Sequence, residues 1–461
     1  MFKKVDFIHF IGIGGIGMSG IAELLMNLGF KITGSDINRS ENVKRLESNG
    51  IKISIGHQSK NINNADAVVY SSAVPSDNPE IIAAIKKSIP VIRRAEMLAE
   101  LINLKQTSIA VGGTHGKTST SSMIGMVLEK TGHDPTLVVG GLVSNLNTNV
   151  KLGSGNLIVV EADEFDRSFL ALNPTIAVVT NLEMEHTDCY DSLHDLKNAF
   201  LQFCHSVPFY GEVILCADSP SLMEIMPKII KPIKTYGLSD YADFCAKNIK
   251  YNENKSEYTL FHKKNNLGKI NINVPGEHNI LNSLAAITLG IELDIPLEKV
   301  KSGIKSYKGV RRRFEIKKND QDVLVIDDYA HHPTEVEATI NAAKNGWNKR
   351  IVSVFQPHLF SRTRDFFKEF AKSLFDSNII IITDIYPARE KPIKGISSKL
   401  IMNELKLIGH KNINYLPNLE KLNQLLDTII KSGDMLITMG AGNIWRYSDK
   451  YNEHLINKPK T

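Results

Sequence analysis

Short apolar runs alternate with amphipathic stretches from one end of this chain to the other, and that alternation limits the fold more than any other feature. VDFIHFIG, FKITGSD and DAVVYSS have the length and composition of strands; QTSIAVGG, TLVVGG, NLIVVEAD, TIAVVTNL and GEVILCA repeat the texture, and VLVIDDY, RIVSVFQ, IIIITDIY and DMLITMG repeat it again. Strands separated by helical patterns predict α/β domains with mostly parallel sheets. The 461 residues suffice for about three domains, each able to bury its own core. The expected boundaries are 1–105, 106–308 and 309–461. Inside the second domain, residues 243–274 alternate like an antiparallel ribbon.

Composition narrows the class. Apolar residues at 42% and charged residues at 23% exclude a disordered or fibrous chain. The net charge of +5 is dispersed over many lysines, which favours anionic small molecules over a nucleic-acid groove. The four cysteines show no paired or zinc-binding spacing, as expected of a reduced, cytoplasmic protein. Asp6 and His9 interrupt the apolar N-terminus, so it reads as a first strand and not a signal peptide. No run approaches the ~20 apolar residues of a membrane span.

Two glycine-rich turns carry the first chemistry. In AVGGTHGKTST a strand runs through a glycine turn into a helix, so backbone N–H groups and the helix N-terminus converge on a point suited to phosphate. Lys117 adds a mobile positive charge there, and Thr118 offers a hydroxyl to Mg²⁺. Val111 stands where the usual phosphate-loop pattern has its first glycine, so this loop is short. The earlier turn has Gly12, Gly14 and Gly17 between a strand and a helix, and Asp36 ends the next strand, about twenty residues on, where a ribose partner is expected. It suits a dinucleotide or a nucleoside diphosphate; glycines serving packing alone are the other reading.

Acids and histidines gather at strand ends. Glu161 and Asp163 fall on one face of NLIVVEADEFD, while Glu183, Glu185, His186 and Asp188 close the following strand. They read either as ligands for Mg²⁺ or as a solvated acidic rim. In the third domain DDYAHHPTE supplies Asp327, Asp328, His331 and His332, and QPHLFSRTRDF supplies His358, Arg362 and Arg364. An arginine fork there matches a carboxylate or a phosphate, and Arg364, two residues beyond Arg362, is expected on the same face.

Taken in order, GTHGKT, EADEFD, NLEMEH, GEHNILN, RRRFE, DDYAHHPTE and QPHLFSRT resemble the Mur ligases, ATP-dependent amide-forming enzymes of peptidoglycan assembly. IHFIGIGGIGMSGIAE and the QPH string resemble the branch that takes UDP-N-acetylmuramate, L-alanine and ATP. The resemblance implies a Rossmann-like first domain, a central ATPase and a Rossmann-like third domain that closes over the nucleotide. It implies catalysis by Lys117, Glu161, His186, Arg313 and Asp328, with ATP held by Gly113, Thr114, His115, Gly116, Lys117, Thr118 and Ser119 together with Asn279 and Asn282. Substrate contacts would come from Gly12, Gly14, Gly15, Gly17, Met18, Ser19, Asp36 and Ser72, and from His332, His358 and Arg362. Thr118, Glu161 and His186 would hold Mg²⁺. No nucleic acid or membrane is implied, and a monomer or weak homodimer is expected. Leu359 and Phe360 depart from the family's usual Arg and Tyr after QPH. A recycling ligase acting on the same sugar nucleotide and an NAD-dependent oxidoreductase are the alternative readings.

Overall fold

The computed structural model describes residues 5–185, 189–317, 322–388 and 390–457. Its backbone divides into two compact units, one comprising residues 1–247, 259–270 and 281–307, the other 248–258, 271–280 and 308–461. Three sheets carry the three-domain α/β fold.

The first unit opens with β1 (Phe7–Ile11), α1 (Ile16–Asn27), β2 (Lys31–Asp36), α2 (Glu41–Ser48), β3 (Lys52–Ile55), β4 (Ala67–Tyr70), α3 (Pro79–Lys86), β5 (Val91–Arg93) and α4 (Arg94–Ile102). The parallel sheet runs β3-β2-β1-β4-β5. Its order reverses beside β1, so the crevice at that switch point opens next to the first glycine turn. Local chemistry starts the helices: Ser40 accepts from the Val43 N–H to cap α2, and Asn78 with Pro79 opens α3. Glu80 is fully buried and collects N–H and O–H donors from Gln58, Asn61 and Ser35, which ties α3 to the sheet. Against this pull burial raises its pKa, and the bonds from His9, Ser35 and Asn61 outweigh burial and bring the carboxyl down to about 2.

The second sheet is built from β6 (Thr107–Gly112), β7 (Thr136–Val143), β8 (Thr148–Lys151), β9 (Leu157–Glu161), β10 (Ile176–Val179), β11 (Glu212–Cys216), β12 (Ile233–Gly237), β13 (Phe244–Asn252), β14 (Lys255–His262) and β15 (Asn265–Ile272). The order is β15-β14-β13-β12-β11-β10-β6-β9-β7-β8. Its helices are α5 (Lys117–Lys130), α6 (Leu193–His205), α7 (Pro220–Ile225), α8 (Glu277–Glu292) and α9 (Leu297–Ser306). The central strands are buried on both sides, as parallel strands covered by helices must be. Helix α1 lies directly on β7 and β8. Gly20 makes this approach possible, since a Cβ there would overlap the Val150 side chain. Asn149 donates to the Ile16 carbonyl at 3.1 Å, and Arg45 reaches Asn149 at 3.4 Å. The first two sheets are thereby packed into one unit.

The second unit holds β16 (Glu315–Lys317), β17 (Leu324–Asp328), α10 (Pro333–Gly346), β18 (Ile351–Phe355), α11 (Phe360–Leu374), β19 (Ile379–Thr383), α12 (Lys399–Leu407), β20 (Ile413–Leu416), α13 (Leu422–Ile429), β21 (Met435–Met439) and α14 (Ile444–Asn457). Its sheet runs β16-β17-β21-β18-β19-β20, with β16 alone antiparallel among the pairings described. Apolar residues fill both faces, Phe355 and Phe370 on one and Leu436 and Tyr451 on the other.

Candidate active site

The loop between β6 and α5 is held by the strand end beside it. The Thr114 N–H donates to the Asn181 carbonyl at 3.1 Å and the His115 N–H to the Asn181 side chain at 2.8 Å; Thr114 and Glu183 exchange two further bonds. Gly113 has φ +126, and any side chain there would run into Thr180. The amides of Thr114 and His115 thus shape the loop. The amides of the first turn of α5, which have no intrahelical acceptor, are the ones presented at its mouth. Ser119 lies buried in that turn, and Asn282 on α8 accepts from Thr120 at 3.0 Å beside Gly116. Asn279, one turn earlier on α8, donates to the Pro275 carbonyl at 2.7 Å.

The Lys117 amine is engaged by the loop and by a neighbouring acid. It donates to the carbonyls of Gly113 and Thr114 and to both oxygens of Glu164, at 2.7 to 3.1 Å. Burial opposes its charge, but the carboxylates of Glu164, Asp163 and Glu185 outweigh burial and hold its pKa above the ordinary value. Burial raises the Glu164 carboxyl above its ordinary value, against the pull of Lys117. Next to it the Thr118 hydroxyl bonds the Glu161 carboxylate. A hydroxyl and a carboxylate side by side are hard oxygen donors of the kind Mg²⁺ takes. His186 and Asp188 lie outside the described residues, while the Glu183 carboxylate stands 3.5 Å from His115 Nε2.

The first glycine turn is closed by its own neighbours. Gly12 and Ile13 donate to the Ser35 carbonyl, and the Gly14 N–H donates to Asp36 at 2.8 Å while the other Asp36 oxygen accepts from Asn38. The Asp36 carboxylate therefore helps to build the turn. Met18 and Ser19, expected among the substrate contacts, have side chains that point into the protein. Met18 is buried and the Ser19 hydroxyl donates to the Ile16 carbonyl, because the helical period sets both on the packed side of α1. Gly15 precedes that helix as its N-cap, and Gly17 lies against the guanidinium of Arg94. Beside this turn is a hollow of about 700 Å³ lined by Ser72, Val74, Ile85, Arg93, Arg94 and Arg167 among others. Its lining combines apolar side chains with three arginines and the acids Glu96 and Asp166. Arg94 also reaches Asp163 at 3.7 Å, which links the hollow to the acids around Lys117. Neither Arg94 nor Arg167 stood out in the sequence, since no motif spacing marks them.

In the second unit, Asp328 is buried and accepts from the N–H groups of Phe314 and Ala330 and from the Thr339 hydroxyl. Burial pushes its carboxyl up to about 6 against the pull of Arg313. Arg313 lies over the Tyr329 ring and 3.4 Å from Glu335. At the ends of β17, β18 and β19, His331 and His358 stand 6.0 Å apart, His358 stacks on Tyr386, and Arg362 reaches His358 Nδ1 at 3.2 Å. The His332 ring meets Phe366 edge-on. Arg364 does not share the face of Arg362. The chain enters α11 at Phe360, and residues two apart on a helix point in nearly opposite directions, so Arg362 is buried and Arg364 pairs with Asp365 in solvent. Leu359, at φ 71 and ψ 139, makes the sharp entry into that helix, its N–H bonded to the Tyr386 carbonyl.

A three-domain α/β molecule whose middle sheet carries a glycine loop opening a helix, beside a hollow lined in part by three arginines, has the architecture of a nucleotide-binding enzyme. Residues 7–106, 111–290 and 312–442 match the families described as Mur ligase family, catalytic domain; Mur ligase middle domain; and Mur ligase, glutamate ligase domain. The chain belongs to the Mur ligase family. A UDP-N-acetylmuramate–L-alanine ligase of Geotalea uraniireducens is 48% identical over 99% of both chains, and one of Geotalea daltonii is 47% identical over 100% of both. The crystal structure of the UDP-N-acetylmuramate-alanine ligase of Thermotoga maritima matches with a TM-score of 0.84 at 29% identity, covering 97% of this chain and 98% of that one.

Proposed function

We propose that this enzyme joins L-alanine to the carboxylate of UDP-N-acetylmuramate with hydrolysis of ATP to ADP and phosphate, in cytoplasmic assembly of the peptidoglycan precursor. The full-length identity of 48% to a ligase of that name carries the choice of substrates. The phosphate loop supports ATP as the third reactant. Neither alternative has comparable support: a murein peptide ligase of Psychrobacter arcticus matches at only 23% identity against 48% for the L-alanine ligase, and an oxidoreductase leaves Lys117 and its carboxylates without a purpose.

A carboxylate is a poor electrophile toward an amine. Its oxygen therefore first attacks the γ-phosphorus of ATP, ADP departs, and the resulting acyl phosphate carries a good leaving group. The neutral amine of alanine attacks the acyl carbon, and phosphate leaves from the tetrahedral intermediate to give the amide. Lys117 and the first-turn amides of α5 would offset charge on the transferring group, so catalysis here is positioning and electrostatics. Thr118 and Glu161, with His186, would hold Mg²⁺, which supplies further positive charge against the phosphates when bound. We assign the sugar nucleotide to residues 1–105 and the hollow lined by Ser72 and Arg94, ATP to 106–308, and alanine to 309–461 around His358 and Arg362. Phosphate release measured with ATP, UDP-N-acetylmuramate and a panel of amino acids tests the reading. Release should need the sugar nucleotide and respond best to L-alanine; release that ignores the amino acid, or prefers a peptide, would reject it.

A further inference from the structure

Glu164 has no part in the chemistry set out above, yet both of its oxygens are spent on Lys117. An ammonium has three N–H bonds. This one meets four acceptors: the Gly113 and Thr114 carbonyls at 2.7 and 3.1 Å and the two Glu164 oxygens at 2.9 and 2.8 Å. A phosphate oxygen that comes to this ammonium has to replace one of them. The carbonyls belong to the loop itself, whose shape Asn181 fixes, so they cannot leave without remaking the cradle. The Glu164 contact is the replaceable one. Its backbone is anchored, with its carbonyl accepting from the buried Tyr190 hydroxyl at 2.7 Å and from the Arg167 N–H at 3.0 Å. Asp166 and Arg167, which follow it, hold left-handed φ values of 51° and 61°, a backbone kept in place by Arg167 pairing with Asp195 and covering the Tyr190 ring. The carboxylate stays and the lysine swings.

We propose that Glu164 is a positioning residue that keeps the Lys117 ammonium at the loop in the nucleotide-free enzyme and yields it to an ATP phosphate, so that nucleotide affinity is set by exchange of one anion for another. The proposal rests on the reading that this loop binds ATP. Glu164→Gln keeps the shape and removes the competing charge. Titration calorimetry of the full chain with ATP and Mg²⁺ should then show binding at least ~5-fold tighter than wild type, the scale of one net hydrogen bond. In a Lys117→Met background the same Glu164→Gln change should alter affinity by less than ~2-fold, because no ammonium remains to be exchanged. An equal gain in both backgrounds would mean that Glu164 acts only through its long-range field, and no gain in the single variant would mean that it does not compete; either overturns the proposal. If circular dichroism shows Glu164→Gln to be unfolded, Glu164→Asp, whose carboxylate is one methylene short of the ammonium, takes its place in both backgrounds, and the same two outcomes overturn the proposal. Wild-type protein that takes up no ATP would instead remove the nucleotide assignment beneath it.

Discussion

Arg362 is the residue to which we assign selection of the amino acid. It is 8% exposed, and one nitrogen of its fork is engaged by His358 at 3.2 Å, so the guanidinium is fixed in direction before any substrate arrives. A fixed fork loses little freedom on binding a carboxylate. With Leu359 apolar and Arg364 turned to Asp365, Arg362 carries the contact. Arg362→Ala should raise the KM for L-alanine at least ~10-fold, from the loss of a charge-assisted hydrogen bond, with the KM for ATP much less affected. A variant in which the ATP or sugar-nucleotide KM rises and the alanine KM does not would assign this arginine to a phosphate. At this scale the sequence was informative where a motif places a side chain by local geometry, as with Lys117 and Thr118 at the start of α5. It was silent where two distant segments meet: nothing in EADEFD distinguishes Glu164, whose partner lies 47 residues away, from the acids around it.

Elements were legible from period and from breakers. The alternation of apolar runs with helical stretches located most strands of the three sheets but missed the short β3, β5, β8, β12, β16 and β20, and glycine turns marked where β1 and β6 lead into helices. What misled was direction after a strand stops. Met18, Ser19 and Arg364 were placed by proximity to a motif, and the helix that starts within the motif turns them elsewhere. Helix α3 shows a different kind of concealment, a buried acid in an otherwise apolar seam. The folded-state pKa of Glu80, about 2, lies below the 4.5 of an ordinary glutamate. The stabilisation it gives is therefore complete above pH 4.5 and is lost as pH falls toward 2, amounting to roughly 3 kcal/mol. Urea denaturation of wild type and Glu80→Gln between pH 6 and about 2.5 should show a stability difference that shrinks with acid. A difference independent of pH would mean that Glu80 contributes through shape alone.

Across the whole molecule, the first sheet and most of the second form one unit, in which α1 packs on β7 and β8, while the third sheet belongs to the other unit with residues 248–258 and 271–280. Calorimetry should resolve two transitions. Gly20→Val, which drives a side chain into Val150, should lower one of them and leave the other in place. A single two-state transition, or a shift in both, would show the units to be cooperative. Three domains were foreseeable from length and repetition, but the joining of two into one unit was not, since it depends on a glycine that the sequence offers only as one small residue among others in a helix. The hollow of about 700 Å³ beside the first glycine turn inherits its shape from this packing, because residues 70–96 supply one wall and residues 166–171 the other. For the design of an inhibitor this has a practical meaning. A compound shaped to that hollow would meet walls already assembled and, on our assignment of the sugar nucleotide to it, would compete with that substrate and not with ATP.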